Sequence, residues 1–178
     1  MIHRFLSRFT KKNRMSLIEE LKSKGAVIGD DVQFWSSIID RNYPQLLKIG
    51  NHVTITCSTV LCHDSTTLRE LGVRKIGKVD IGDCVFVSAG CVVLPGTIIH
   101  DKVIVGAGTT IKGELGGNSV YIPNERGLPQ FLCSYDDYIS KHRKRIESFK
   151  VLKSDETNKN TITNVDDIQP GTIYYIEP

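Results

Sequence analysis

Residues 81–111 read IGDCVFVSAGCVVLPGTIIHDKVIVGAGTTI, and an aliphatic side chain returns at every sixth position: Ile81, Val87, Val93, Ile99, Val105 and Ile111. Four residues after each of them stands a second, mostly smaller side chain, in Val85, Cys91, Thr97, Val103, Thr109 and Leu115. An amphipathic helix needs apolar residues at i, i+3, i+4 and i+7, and this Gly-rich stretch does not supply them. A short strand followed by a tight turn, three times per coil, does produce the beat, with the aliphatic filling the bore and the second residue near the corner. The same beat runs upstream through Ile49, Ile55 and Leu61, with Val53, Thr59 and Ser65 as the second inward positions. The expected fold is therefore mainly β, a parallel β-helix. Gly50, Gly82 and Gly106 follow their aliphatic neighbours, where a close corner penalises a Cβ.

Working outward, the first coil starts at Ile28-Gly29-Asp30-Asp31-Val32 and is irregular through Tyr43-Pro44. Residues 67–75 carry no hexad and are expected to leave the cylinder as a loop, directly after His63. Upstream, Ser16 and Glu19 form a capping box for a helix with the apolar stripe Leu17, Ile18 and Leu21, closed by Gly25, which would plug the open end of the solenoid. The organisation that follows is a basic arm and capping helix over 1–25, the β-helix over 26–123 and a C-terminal extension over 124–178. In that extension Tyr135 to Leu152 reads as a charged helix, 153–164 as a polar stretch, and Thr172 to Ile176 as a β-prone piece that pairs with an edge.

A chain of 178 residues with net charge +3 makes one domain with a modest core and gives no reason to expect a nucleic-acid partner. Cys57, Cys62, Cys84, Cys91 and Cys133 form no CxxC pair and read as reduced, in a cytoplasmic protein. Zinc ligation by Cys57, Cys62 and His63 is the weaker reading, and no metal is expected. No stretch approaches a membrane span, and the N-terminus lacks a signal peptide's apolar core. Residues 1–14 mix Arg4, Arg8, Lys11, Lys12 and Arg14 with Phe5, Leu6 and Phe9; they suit peripheral contact with an anionic membrane or a terminal helix packed in an oligomer.

Among the histidines, His3 lies in the arm, His142 in a basic helix, and His52 and His100 at outward hexad positions. His63 differs, because it points away from the bore just before the expelled loop. An imidazole titrates near neutrality and suits the task of a general base. Asp64 adjoins it, but neighbouring side chains in a strand diverge, so Asp64 is expected to accept from an acceptor substrate or a loop amide. Asp40, in the irregular coil, is expected to contact the acceptor. The group that orients His63 is left open.

These hexads, the segment Thr59-Val60-Leu61-Cys62-His63-Asp64-Ser65 and the run from Ile81 to Gly90 resemble the hexapeptide-repeat acyltransferases, over roughly residues 15–123. The closest likeness is to sugar O-acetyltransferases of the maltose/galactoside and surface-polysaccharide type. The resemblance implies a left-handed coil, a homotrimer with sites between subunits, acetyl-CoA as co-substrate and a carbohydrate acceptor. It implies that His63 is the base and that the Ala89 amide, following Phe86-Val87-Ser88, points at the thioester carbonyl. Ser88-Ala89-Gly90 and Gly106-Ala107-Gly108 would carry the pantetheine arm, and Lys112 and Arg126 would meet the coenzyme phosphates. The chain departs from the family where the last coil closes, with Tyr121-Ile122-Pro123-Asn124-Glu125-Arg126 in place of the usual Gly-Asn-Pro-Ala-Lys, and Lys112-Gly113 in place of Thr-Lys. Rival readings are N-acetylation of an amino sugar, a gamma-class carbonic anhydrase with three histidines on zinc, and a non-catalytic scaffold.

Overall fold

The structure, a computed structural model, describes residues 15–148, 151–153 and 175–177. The basic arm 1–14, with His3, and residues 154–174, which hold all of the polar stretch but its first residue, lie outside the described residues. Two compact units divide the chain, Met1–Leu132 and Cys133–Pro178.

The first unit begins with helix α1 (Leu17–Ser23). Ser16 Oγ accepts from the Glu19 amide at 3.2 Å while Glu19 Oε2 accepts from the Ser16 amide at 2.8 Å, so the capping box forms as the sequence reads. Gly25, at φ +95°, takes the chain out of the helix where a side chain would be strained. Leu21 is fully buried, and Leu17 and Ile18 pack against the same core. Burying one such leucine stabilises by about 1.5–3 kcal/mol.

Coils follow in which each turn of the chain lays down three short strands. The first has β1 (Val27–Ile28), β2 (Gln33–Trp35) and β3 (Ile38–Ile39), and the second β4 (Leu47–Ile49), β5 (Thr54–Thr56) and β6 (Thr59–Val60), entered through a 3₁₀ turn (Pro44–Leu46). An excursion of β7 (His63–Asp64), helix α2 (Leu68–Leu71) and β8 (Lys75–Ile76) then interrupts the cylinder. The coil resumes with β9 (Val79–Ile81), β10 (Phe86–Val87) and β11 (Val92–Val93), then β12 (Ile98–Ile99), β13 (Val103–Val105) and β14 (Thr110–Ile111). It ends with β15 (Glu114–Leu115), β16 (Ser119–Pro123) and β17 (Pro129–Ser134).

Strands of successive coils stack in parallel into three faces, in the orders β1-β4-β9-β12-β15, β2-β5-β10-β13-β16-β17 and β3-β6-β11-β14. Ile49 pairs with Ile81, Val87 with Val105, and Val93 with Ile111, so the sixth-residue aliphatics form vertical stacks in the bore. All six aliphatics from Ile81 to Ile111 are at most 1 % exposed, and their partners from Val85 to Leu115 are buried too. Close stacking at the corners explains the glycines: a Cβ on Gly82 would come within 2.9 Å of the Asp101 amide nitrogen. Beside them the Asn51 amide donates to Asp83 Oδ1 at 2.6 Å and the Asp83 amide to Asp101 Oδ1 at 2.8 Å, a ladder that satisfies corner amides from coil to coil.

One stretch departs from the sequence expectation. Thr59, Leu61 and Ser65 do not line the bore; Ser58, Val60 and Cys62 do, at 4 %, 0 % and 0 % exposure. Val60 pairs with Val93, so the corner Thr56-Cys57-Ser58 is one residue shorter than its counterpart Ser88-Ala89-Gly90-Cys91. A one-residue slip reverses every side chain that follows. Ser58 bridges the shortened corner, accepting from the Cys91 amide at 3.0 Å and donating to Ser88 O at 2.7 Å.

In the second unit, helix α3 spans Tyr135–Ser148 and ends earlier than the sequence suggests. The strand β18 (Val151–Lys153) pairs in parallel with β19 (Tyr175–Glu177). Among the described residues no helix is long and apolar enough to cross a membrane.

Candidate active site

His63 sits at the corner between the third and first faces, where β6 gives way to the excursion. The chain leaves the coil here, earlier than residue 67, because β7 and β8 pair antiparallel, His63 opposite Ile76 and Asp64 opposite Lys75. The base candidate is thus the first residue of a hairpin stem on a rigid scaffold. Cys62, just before it, faces the core, and alternation turns His63 outward, with 19 % of its side chain exposed.

The orienting group is Asp40, one coil below. Ile39 pairs with Val60, which brings Asp40 up against the residues that follow Val60. Its Oδ2 lies 2.5 Å from His63 Nδ1 and accepts from the Cys62 amide at 2.8 Å. Its Oδ1 accepts from the amides of Asn42 at 2.9 Å and Tyr43 at 3.3 Å. A carboxylate only accepts, so Nδ1 carries the proton and Nε2 is left as the acceptor. Burial raises the Asp40 pKa, but the His63 N–H and the Asn42 and Cys62 amides outweigh it, holding the group below the usual carboxylate range. The expectation that Asp40 contacts the acceptor is therefore corrected: its side chain is 1 % exposed and both oxygens are engaged.

The neighbouring side chains separate by role. The Asp64 carboxylate accepts from the Thr66 amide at 2.9 Å and lies 3.4 Å from Lys75 Nζ, so its contacts are to the loop. The Cys62 thiol is pushed up to about 12, first by burial and then by the negative charge of Asp40, which removes it as a nucleophile. Tyr43 packs its ring 5.2 Å from the imidazole, tilted by 52°. His52 and His100 pair at the surface with Asp31 and Glu114. Cys57 lies at a different corner from Cys62 and His63, so the three do not converge.

Phe86, Ser88, Ala89, Gly90, Ala107 and Gly108 come together at the corner between the second and third faces. Ser88-Ala89-Gly90 lies one coil from Gly106-Ala107-Gly108, with the Gly108 amide donating to Ala89 O at 3.0 Å. Gly90 and Gly108 both take φ +74°, which makes this a smooth strip of exposed backbone. The Ser88 and Gly90 amides donate to Val105 O and Cys57 O, whereas among the described residues the Ala89 amide has no acceptor. Arg126 belongs to this corner, since the Thr110 amide donates to Gly127 O at 2.7 Å. Lys112 does not. It follows β14 and stands on the corner of His63, so one copy of the chain holds His63 and Lys112 on one edge of the prism and Ala89, Ala107 and Arg126 on another.

With this geometry in hand, the bacterial transferase hexapeptide model of six repeats matches residues 78–113. The coils over those residues carry the repeats of that model. YvoF of Bacillus subtilis (strain 168), provisionally named an acetyltransferase, is similar to this chain at 32 % identity over 89 residues, 47 % of this chain and 50 % of the relative. The chain thus spans about half the length of that curated relative. Among solved structures, a maltose O-acetyltransferase from Clostridium difficile 630 is similar with TM-score 0.50 and 20 % identity, covering 68 % of this chain and 79 % of that one. A hexapeptide-repeat acetyltransferase from Vibrio cholerae has TM-score 0.48 and 14 % identity, covering 65 % and 77 %. The likeness to the first of these concerns the fold.

Proposed function

We propose that the chain is an acetyltransferase that moves acetyl from acetyl-CoA to a carbohydrate hydroxyl, as a left-handed β-helix homotrimer in the cytoplasm. The observation that carries this reading is the Asp40–His63 pair, a buried carboxylate holding an outward imidazole with Nε2 free. His63 Nε2 takes the proton of the acceptor hydroxyl as its oxygen attacks the thioester carbonyl. The Ala89 N–H donates to the oxyanion of the tetrahedral intermediate. When that collapses, the C–S bond breaks and the coenzyme thiolate leaves with the proton from the imidazolium.

The pantetheine arm suits the strip Ser88-Ala89-Gly90 and Ala107-Gly108, where no bulky side chain obstructs close approach and Phe86 offers an apolar flank, 41 % exposed. Arg126 and Lys112 would take the phosphates. Their separation onto different corners supports the trimer, because only a neighbouring copy can bring a His63 edge to an Ala89 edge. Named similarity to acetyltransferases supports the transferred group.

The test is release of free coenzyme thiol from acetyl-CoA over a panel of sugars, nucleotide-sugars, lipid-linked glycans and amino sugars. Acceptor-dependent release with an O-acetylated product supports the reading. Acylation confined to amines, or no acceptor-dependent release across the panel, contradicts it.

A further inference from the structure

Tyr43 joins the base to the excursion. Its amide donates to Asp40 Oδ1, its ring lies against His63, and its hydroxyl accepts from Arg74 Nη1 at 3.4 Å. Arg74 is exposed, immediately before stem strand β8. A guanidinium presents five N–H donors in a plane, and one long contact to a phenol leaves most of them open. Among the described residues Arg74 makes no ion pair. The two carboxylates beside His63 are committed elsewhere, Asp64 to Thr66 and Lys75, and Asp40 beneath the imidazole. The outer side of the base therefore carries a planar cation without a counter-charge, tethered beside an aromatic ring.

We propose that Arg74 and Tyr43 form an anion subsite that selects an acceptor sugar bearing a carboxylate or a phosphate. The guanidinium takes either group through two parallel N–H donors, a match of geometry as well as charge. The Tyr43 ring supplies an apolar face for the sugar next to the imidazole, which fixes the hydroxyl relative to Nε2. The inference rests on His63 as the base of the acceptor site, but binding can be read without turnover.

The experiment follows the His63 imidazole resonances of the full chain by NMR during titration with glucose, glucuronate and glucose 1-phosphate. At least one anionic sugar should half-saturate at a concentration about tenfold lower than glucose, the value of one charge-assisted hydrogen bond. Arg74→Gln should bring that preference to parity. A response to glucuronate alone assigns a uronic acid, and one to glucose 1-phosphate alone a sugar phosphate. Equal half-saturation by all three sugars, no response to either anion, or a preference that survives Arg74→Gln overturns the proposal. Anion preference without acetyl-CoA turnover would keep the subsite and remove acyl transfer, so the two readings fail separately.

Discussion

Asp40 Oδ2 lies 2.5 Å from His63 Nδ1 although 23 residues separate the two in the chain. One coil of the solenoid brings them together, and the same oxygen accepts from the Cys62 amide. The imidazole is thereby fixed in tautomer and direction by a carboxylate whose own side chain is only 1 % exposed.

Asp40→Asn should lower kcat by roughly 10–10²-fold with the KM for acetyl-CoA unchanged, since a charge-assisted hydrogen bond contributes about 1.5–3 kcal/mol. The pH–rate profile should shift as well, which a purely structural role would not cause. Asp40 also ties stability to pH. Its folded pKa is depressed, so its contribution is present above the ordinary carboxylate pKa and is lost as pH falls through the lower, folded value. Urea unfolding along an acid pH series should show that loss in wild type and a flatter dependence in Asp40→Asn.

Thiol reactivity should follow burial. Alkylation of the native protein near pH 8 is expected to modify Cys57, which is exposed, and to spare Cys62 and Cys91 until denaturant is added. Burial raises both protected thiols, and Asp40 raises Cys62 further. Peptide mapping after timed alkylation checks this, and early labelling of Cys62 would contradict its inward position.

Deleting Leu68 to Arg74, closed with a short turn, should leave the β-helix folded, because α2 has no buried residue and the removed segment lies beyond the β7–β8 stem. Acceptor KM should rise while the KM for acetyl-CoA stays the same. Circular dichroism and steady-state kinetics on the purified variant read both halves.

Gly82→Ala should destabilise by about 1–3 kcal/mol, since its Cβ would press on Asp101 Oδ1 and come within 2.9 Å of the Asp101 amide nitrogen. Urea denaturation measures the difference.

Residues 81–111 were legible in the sequence because every hexad there keeps its length, so a count of six finds the bore from Ile81 to Ile111. The capping box at Ser16 and Glu19 was equally readable, being a local pattern. Asp40 was not. The short corner at Thr56-Cys57-Ser58 breaks the count, and with Leu61 taken as inward nothing in the sequence aligns Asp40 with His63. Val60 and Cys62 as alternating apolar residues were the available signal for the correct register. The Arg74–Tyr43 contact depends on how the excursion folds back over the coil, which no periodicity encodes.

The role of His63 is measured by His63→Ala in single-turnover transfer from acetyl-CoA to the best acceptor of the panel. The variant should fold and keep its acetyl-CoA affinity while turnover falls by about 10²–10⁴-fold, the usual contribution of a positioned base. Transfer by His63→Ala at near the wild-type rate would contradict it.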